Sequence, residues 1–265
     1  MKIIPMNVDR AINRKFFEGA STLHVTSVFR TIQGEGPYAG YPAIFVRLAG
    51  CNFGDKKASG MCEFCDTNFK IAEARQVTPA ELLVELINTP GYSSKDVLVV
   101  TGGEPTLQPL LLDFLQDARQ HFRCVQVESN GTQAYFFTKL HQRGLHSSVH
   151  MVVSPKASGK TGMYPLLSPT LLGYPLLTLK YVLSADPSSP HHTVPQWVKE
   201  SFPHNVYVSP MAVYLRSYAG EVSNAWDHTL IDAEATAENY SYAAQYAMQH
   251  NLLLSIQTHL FTAIP

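Results

Sequence analysis

The sequence predicts an α/β fold, a partial (β/α) barrel in which a mostly parallel sheet is joined by helical crossovers and carries loop insertions. Short apolar runs alternate with helical patterns over most of the 265 residues, which is typical of a parallel sheet with crossovers. The polar signatures GGEP, ESNG, SPK, SPM and QTH each follow a predicted strand. Because the carboxyl ends of parallel strands share one edge, these signatures indicate one site at the mouth of the barrel.

An N-terminal arm, residues 1–21, which we predict to be polar and irregular, precedes the single domain that we predict over residues 22–265. Apolar and polar residues alternate over residues 22–30, and an apolar run covers residues 43–50, so both stretches predict strands. The stretch between them is rich in glycine and proline and predicts a loop.

The first helix has the clearest start signal in the chain. Thr78 is a suitable N-cap, Pro79 takes the first helical position, and Glu81 lies where a capping box needs a carboxylate. The later strands, some with the turn that follows, are predicted at 96–105, 123–131, 147–156, 175–183, 204–211 and 251–260. Helices are predicted at 78–88, at 107–122, before residue 147 and at 236–250, and loop insertions at 157–175 and 211–230.

Composition and charge narrow the class of protein. The formal net charge of −1 gives no reason to expect binding to nucleic acid or to an anionic membrane. No signal peptide is evident, and prolines, a glycine and a lysine interrupt the long apolar stretch 166–183, so we expect no membrane span. We therefore expect a cytoplasmic protein whose cysteines bind a metal instead of forming disulfides.

Three of the four cysteines lie together: Cys51, then the C-x-x-C pair Cys62 and Cys65. A structural zinc site closes with four protein ligands, whereas three thiolates on a four-iron cluster leave one iron open for another ligand. The alternative is a zinc knuckle that a histidine or Asp66 completes. Cys124 alternates with valines in a predicted strand, which favours a role in the core.

Three cysteines followed by a strand that ends in GGE are the pattern of radical S-adenosylmethionine (SAM) enzymes. The chain resembles the QueE-type 7-carboxy-7-deazaguanine synthase family from about residue 25 to the C-terminus. The resemblance rests on FRTIQGEGPYAGYPAIFVRLAGCN, CEFCDT, TGGEPTLQ, VESNGT, VSPK and LSIQTH. It implies a radical-SAM barrel and a lyase that contracts the ring of 6-carboxy-5,6,7,8-tetrahydropterin to 7-carboxy-7-deazaguanine with loss of ammonia. That product is a precursor of deazapurines such as queuosine.

The resemblance also implies the cofactors, a [4Fe-4S] cluster, SAM and Mg²⁺, and the residues that bind them. The implied cluster ligands are Cys51, Cys62 and Cys65, and the implied Mg²⁺ ligand is Thr67. The implied SAM-binding residues are Phe64, Cys65, Asp66, Gly102, Gly103, Glu104, Ser129, Ser154, Pro155, Lys156, Ser209, Pro210, Met211 and Ala212. The implied substrate-binding residues are Ile32, Gln33, Gly34, Glu35, Arg47, Thr101, Asn130, Gln257, His259 and Pro265.

Several of these residues have a plain structural alternative. Arg47 lies in an otherwise apolar strand, where a charge is costly unless it is paired, and its guanidinium suits a substrate carboxylate. The alternative is an internal salt bridge with Glu35. Phe64 could simply pack, Thr67 could cap a helix, and His259 could be a satisfied core histidine.

The chain departs from the family pattern at three places. Ten residues separate the first two cysteines where most radical-SAM enzymes have three, SPM replaces the common QPM, and Leu260 replaces a frequent basic residue.

As partners we expect the pterin, a reductase of flavodoxin or ferredoxin type and a second copy in a homodimer. Competing functions are another radical-SAM reaction, such as glycyl-radical activation, and a non-catalytic, zinc-stabilised regulatory protein. The first of these leaves TIQGEG and the terminal QTH unexplained.

Overall fold

The computed structural model describes residues 12–53, 62, 64, 65, 67, 69–158, 161–201, 205–213 and 231–262. Within these residues, the strands of one sheet are β1 (Leu23–Ile32), β2 (Pro42–Leu48), β3 (Arg75–Val77), β4 (Val97–Gly102), β5 (Cys124–Ser129), β6 (Val149–Val153), β7 (Leu177–Leu183), β8 (Val206–Pro210) and β9 (Leu253–Leu254). Their order is β3-β1-β2-β4-β5-β6-β7-β8-β9. Pairing is parallel from β2 to β9 and antiparallel between β1 and each of its two neighbours. The predicted class is confirmed, and the sheet is open, with β3 and β9 at its edges.

Helices connect the parallel strands, and a last short helix follows β9. They are α1 (Pro79–Ile87), α2 (Leu111–Ala118), α3 (Ala134–Gln142), α4 (Pro169–Leu172), α5 (Gln196–Ser201), α6 (Ala233–His250) and α7 (His259–Thr262). No helix in the part of the chain that the structure describes is long and apolar enough to cross a membrane.

The start of α1 is the one that the sequence predicts. The Glu81 N–H donates to the Thr78 hydroxyl at 3.2 Å, and the Thr78 N–H donates to the Glu81 carboxylate at 2.9 Å. Both halves of the capping box are therefore present. The helix buries Leu82 and Leu86 against the sheet.

The main core lies between the sheet and the helices that cover it. Residues of the central strands and of α2 and α3 belong to one buried cluster, with Leu98, Leu115, Val127 and Phe137 among its members. All of Val97–Val100 in β4 is buried. Burial on both faces explains why this strand is continuously apolar and not alternating.

Four predicted details were wrong. The arm is not irregular throughout, because residues 14–17 form a 3-10 helix that buries Phe17. The antiparallel edge strand β3 was missed, since three residues reading RQV carry no strand pattern. The segment 157–175 contains α4, and its Leu171 lies in the core, so it is more than a surface loop. The last strand was predicted to residue 260 but ends at Leu254.

Contacts with the loop between β1 and β2 explain the early end of β9. The Thr258 N–H and hydroxyl both donate to the Gly34 carbonyl, at 3.3 and 2.6 Å. The Gly36 N–H donates to the Ser255 hydroxyl at 2.9 Å. The chain after β9 therefore turns toward this loop instead of continuing along β8. The loop in turn spans the gap between the first and last strands of the open sheet.

Candidate active site

One cavity of about 250 Å³ lies at the carboxyl ends of the parallel strands and brings most of the predicted residues together. The predicted residues that line it are Ile32, Gln33, Gly34, Glu35, Arg47, Cys51, Cys62, Phe64, Cys65, Thr67, Thr101, Gly102, Gly103, Ser129, Asn130, Ser154, Lys156, Ser209, Pro210, Ala212 and Gln257. Three others, Glu104, Pro155 and Met211, do not line it. The predictions for Asp66, Pro265 and the His259 side chain lie outside the described residues.

The cysteines Cys51, Cys62 and Cys65 share one wall of this cavity. They pack with Phe53 and Phe69 in a small apolar cluster. The Cys65 N–H donates to the Cys62 carbonyl at 3.1 Å, which closes a tight turn around the C-x-x-C pair. We call the three cysteines with the glycine turn Gly102–Gly103 the cysteine wall.

The chemistry of this wall fits a metal centre. Burial raises the pKa of the Cys51 thiol to about 12. A coordinated metal deprotonates a thiol outright and so offsets that cost. No group of three or more His, Cys, Asp or Glu side chains that could hold one metal ion is found among the described residues. The thiolates of an iron–sulfur cluster bind separate iron atoms, and three thiols on one wall are compatible with that arrangement.

The two glycines of the GGE signature are required by backbone packing. A Cβ on Gly102, where φ is +129°, would lie 2.1 Å from the Leu48 carbonyl oxygen. A Cβ on Gly103 would lie 2.2 Å from the Gly50 carbonyl oxygen. The Gly103 N–H donates to Leu48 at 3.0 Å, and the Glu104 N–H donates to Gly50 at 2.8 Å. The glycine turn is thus clamped against the backbone that leads into the first cysteine.

Glu104 is fully buried and bonded to its own chain. Its carboxylate accepts from the Thr106 N–H at 3.2 Å and from the Thr106 hydroxyl, from the Ser129 hydroxyl at 2.8 Å, and from the Asn130 N–H at 2.6 Å. Burial raises the pKa of Glu104, although these donors oppose the shift. The carboxylate therefore joins the ends of β4 and β5, and its contact with SAM stays a prediction that this geometry does not favour.

A second polar link joins the cysteine wall to β5. The Asn130 side-chain amide donates to the side-chain oxygen Oδ1 of Asn52 at 2.8 Å. The Asn52 side-chain amide donates to the Thr132 hydroxyl at 2.9 Å. Asn52 was missed from the sequence, although its position next to Cys51 is a usable signal. On the outer side, the Ile12 N–H donates to the Cys51 carbonyl at 3.1 Å, so the N-terminal arm contacts the first cysteine.

A second part of the lining carries charged side chains, three on strands and one on the loop between β1 and β2. We call Glu35, Arg47, Glu128 and Lys180 the charged wall; all four line the cavity. The Arg47 guanidinium lies 5.2 Å from the ring centre of Phe29. Among the described residues, the ion pair found for Glu35 is with Lys180 and not with Arg47, the partner considered from the sequence.

Two members of the charged wall were missed from the sequence. Lys180 lies within β7 and Glu128 within β5, both otherwise apolar for the most part. The Glu128 carboxylate accepts from Thr101 at 2.9 Å, Gln126 at 3.0 Å and Gln33 at 3.4 Å. A charge inside a buried strand is costly unless it is paired. The same argument that singled out Arg47 would also have identified Lys180 and Glu128 from the sequence.

Between the two walls lie Lys156 and Phe64. The Lys156 ammonium donates to the Ser154 hydroxyl at 2.6 Å and lies 5.3 Å from the ring centre of Phe64. Burial lowers the pKa of Lys156. The ring of His191 meets Phe64 edge-on at 5.1 Å. Phe64 is therefore packed as well as placed in the cavity, and His191 is a further neighbour that the motifs did not indicate.

Comparison with known proteins gives a consistent set of relatives. The chain is 32% identical to a 7-carboxy-7-deazaguanine synthase of Rickettsia prowazekii over 255 residues, which cover 95% of this chain and 93% of the relative. It is 33% identical to the enzyme of that name from Escherichia coli K12 over 168 residues, 56% of this chain and 66% of the relative. A crystal structure of QueE from Escherichia coli matches 94% of this chain and 99% of its own with a TM-score of 0.57; at 20% identity this match shows the fold. No protein-family profile matches the chain.

Proposed function

The chain belongs to the 7-carboxy-7-deazaguanine synthase family, and from this premise we propose that it is a radical-SAM lyase with the activity named for that family. The reaction is the ring contraction of 6-carboxy-5,6,7,8-tetrahydropterin to 7-carboxy-7-deazaguanine with loss of ammonia, a step toward deazapurines such as queuosine. The observation that carries the proposal is that the cysteine wall and the charged wall line the same cavity. Such a cavity would bring a metal-thiolate centre and one small polar molecule within reach of each other.

On the cysteine wall, Cys51, Cys62 and Cys65 would hold the [4Fe-4S] cluster as thiolates, and the backbone around Gly102 would face SAM. When bound, the cluster and SAM supply a 5′-deoxyadenosyl radical, which takes a hydrogen atom from the substrate. The chain itself provides position and exclusion of water. Phe53 and Phe69 pack behind the thiols and keep that part of the cavity apolar.

On the charged wall, Arg47 would bind the pterin carboxylate through its planar fork of N–H donors. The carboxylates of Glu35 and Glu128 would accept from the amino group and ring N–H groups of the pterin. Phe29 and Phe45 stack on each other at 5.3 Å beside Arg47 and give this wall a flat apolar surface. Orienting the ring in this way lowers the entropic part of the barrier.

Magnesium and the partners belong to the same proposal. The Thr67 residue lines the cavity, and its hydroxyl is a hard oxygen ligand that Mg²⁺ could share with substrate oxygens and water. Reductive cleavage of SAM needs an electron, for which we propose a flavodoxin- or ferredoxin-type reductase. We also propose a homodimer in the cytoplasm, where a reducing environment keeps cluster cysteines as thiols.

The test is anaerobic reconstitution with iron and sulfide, followed by addition of SAM, Mg²⁺ and the pterin. We expect a product with the mass of 7-carboxy-7-deazaguanine, together with one molecule of ammonia per turnover. A pterin without the 6-carboxylate is the matched control and should not be converted. SAM cleavage without the deazapurine would point to another radical-SAM reaction and would overturn the proposal.

A further inference from the structure

Lys180 and Glu35 form a buried ion pair at the wall of the cavity. Only 10% of the lysine side chain and 18% of the glutamate side chain are exposed. Lys180 comes from β7, whereas Glu35 comes from the loop between β1 and β2. The Ser209 hydroxyl, on β8, also donates to Glu35 at 3.4 Å. Residues from three parts of the fold therefore meet at one carboxylate.

Stability does not explain this pair. Removing a lysine and a carboxylate from water costs several kcal/mol per ion, and well-packed apolar residues of similar volume are often at least as stable. Val182, two positions along β7 and therefore on the same face as Lys180, is an apolar neighbour in the cavity lining. A methionine or leucine would suit the position without any desolvation cost. The pair therefore points to a role in the cavity.

The geometry indicates what that role is. The backbone of the loop that carries Glu35 is held by Ser255 and Thr258 at Gly36 and Gly34. Those contacts fix the main chain, whereas the Lys180 ammonium fixes the carboxylate itself. A carboxylate can accept about four hydrogen bonds, so pairing with Lys180 does not prevent Glu35 from accepting the N–H donors of a ligand.

We propose that Lys180 is a positioning residue for the pterin: its ammonium holds the Glu35 carboxylate in the orientation that accepts from the ring N–H groups. This inference rests on the proposed function. Lys180 acts through Glu35 and does not touch the reacting atoms. Lys156, Arg47 and Glu128 line the same cavity, so the test must separate an effect carried by Glu35 from a change in the overall charge.

A double-mutant cycle makes that separation. Lys180→Met and Glu35→Gln, each in reconstituted enzyme with SAM, should weaken pterin binding at least tenfold by anaerobic titration calorimetry. The pterin affinity of the double variant should be within about twofold of that of the more weakly binding single variant. After the first substitution, the second removes no interaction that still contributes to binding. Lys180→Arg keeps the charge and should recover most of the affinity, and SAM affinity should stay within about twofold throughout.

Thermal unfolding separates positioning from support of the fold. Lys180→Met alone should lower Tm, since it leaves Glu35 buried without its counter-charge. The double variant should regain the Tm but not the pterin affinity. The matched control is the ion pair of Arg30 and Asp96, at 2.8 Å with Asp96 2% exposed. Neither residue lines the cavity, so Arg30→Met with Asp96→Asn should leave pterin affinity unchanged.

Three results would overturn the inference while the proposed function stands: wild-type pterin affinity in Lys180→Met, additive losses in the double variant, or recovery of pterin affinity together with Tm. A wild-type enzyme that cleaves SAM but neither binds nor converts the pterin would instead overturn the proposed function, and the inference with it.

Discussion

The two walls of the cavity are built in different ways. The cysteine wall is held by main-chain hydrogen bonds and by glycines that no other residue can replace, as at Gly102 and Gly103. The charged wall is held by side chains from different elements that pair with each other, as Lys180 of β7 does with Glu35 of the loop between β1 and β2. A wall held by main-chain contacts is recognisable in the sequence as short motifs. A wall held by side-chain pairs shows in the sequence only as single charged residues in separate strands. We therefore expect mutations in the first wall to remove the site and mutations in the second to change its affinity.

The largest effect should come from Cys62→Ala. Losing one of three thiolates should abolish cluster binding and SAM cleavage, while the fold persists because Cys62 packs in the small cluster with Phe53 and Phe69 and not in the main core. Iron content and the visible absorbance of the reconstituted protein measure the result. Cys124→Ala is the matched control, since Cys124 packs near Ala43 and Val99 and does not line the cavity. Full iron content in Cys62→Ala would contradict the assignment of the ligands.

Gly102→Ala should come next. Its Cβ would overlap the Leu48 carbonyl, so we expect a loss of more than about 3 kcal/mol in the free energy of unfolding, which is large for one substitution. Gly144→Ala is the control, because Gly144 has φ +70° with open space around its Cβ position. In Gly144→Ala only the strain of a positive φ should lower the free energy of unfolding, by about 1–2 kcal/mol. Urea unfolding compares the two, and equal losses would mean that the clamp does not matter.

Arg47→Ala tests the charged wall. Removing a charge-assisted contact to the pterin carboxylate should cost about 1.5–3 kcal/mol, roughly ten- to a hundredfold in pterin affinity. SAM affinity should be unchanged. Titration with each ligand separates the effects. Equal losses for SAM and pterin would make Arg47 a structural residue and would weaken the distinction between the walls.

The smallest effect should come from Thr101→Val. The substitution keeps the shape of the side chain and removes the 2.9 Å hydrogen bond to Glu128. A single neutral donor contributes about 0.5–1.5 kcal/mol, roughly two- to tenfold in pterin affinity. The pterin KM at saturating SAM measures it, with Thr138→Val on the exposed face of α3 as control. A loss of a hundredfold or more would give Thr101 a role beyond orienting Glu128.

The sequence predicted the elements whose bounds depend on residues close together in the chain. The α1 cap and the strand before the GGE turn depend on residues within a few positions of each other, and both appear where predicted. The end of β9 depends on Gly34, 224 positions from Thr258. No local pattern carries that contact.

The same distinction holds inside the site. Motifs identified the cysteines and the glycine turn, although they did not reveal that a side chain at Gly102 would overlap the backbone of Leu48. Lys180 was missed because its partner lies 145 positions away. The sequence around Lys180 shows a charge in a buried strand but does not indicate which residue pairs with it.

The loop that spans the open sheet also sets the order in which the site can be assembled on the ribosome. Its bonds to Ser255 and Thr258 join positions 219 and 224 residues apart, whereas the last residue of the cysteine wall is Gly103. At the usual speed of translation, the roughly 150 residues between Gly103 and Thr258 take on the order of 10–30 s to synthesise. For that interval the three cysteine thiols of the nascent chain would lie beside a loop that Ser255 and Thr258 do not yet hold.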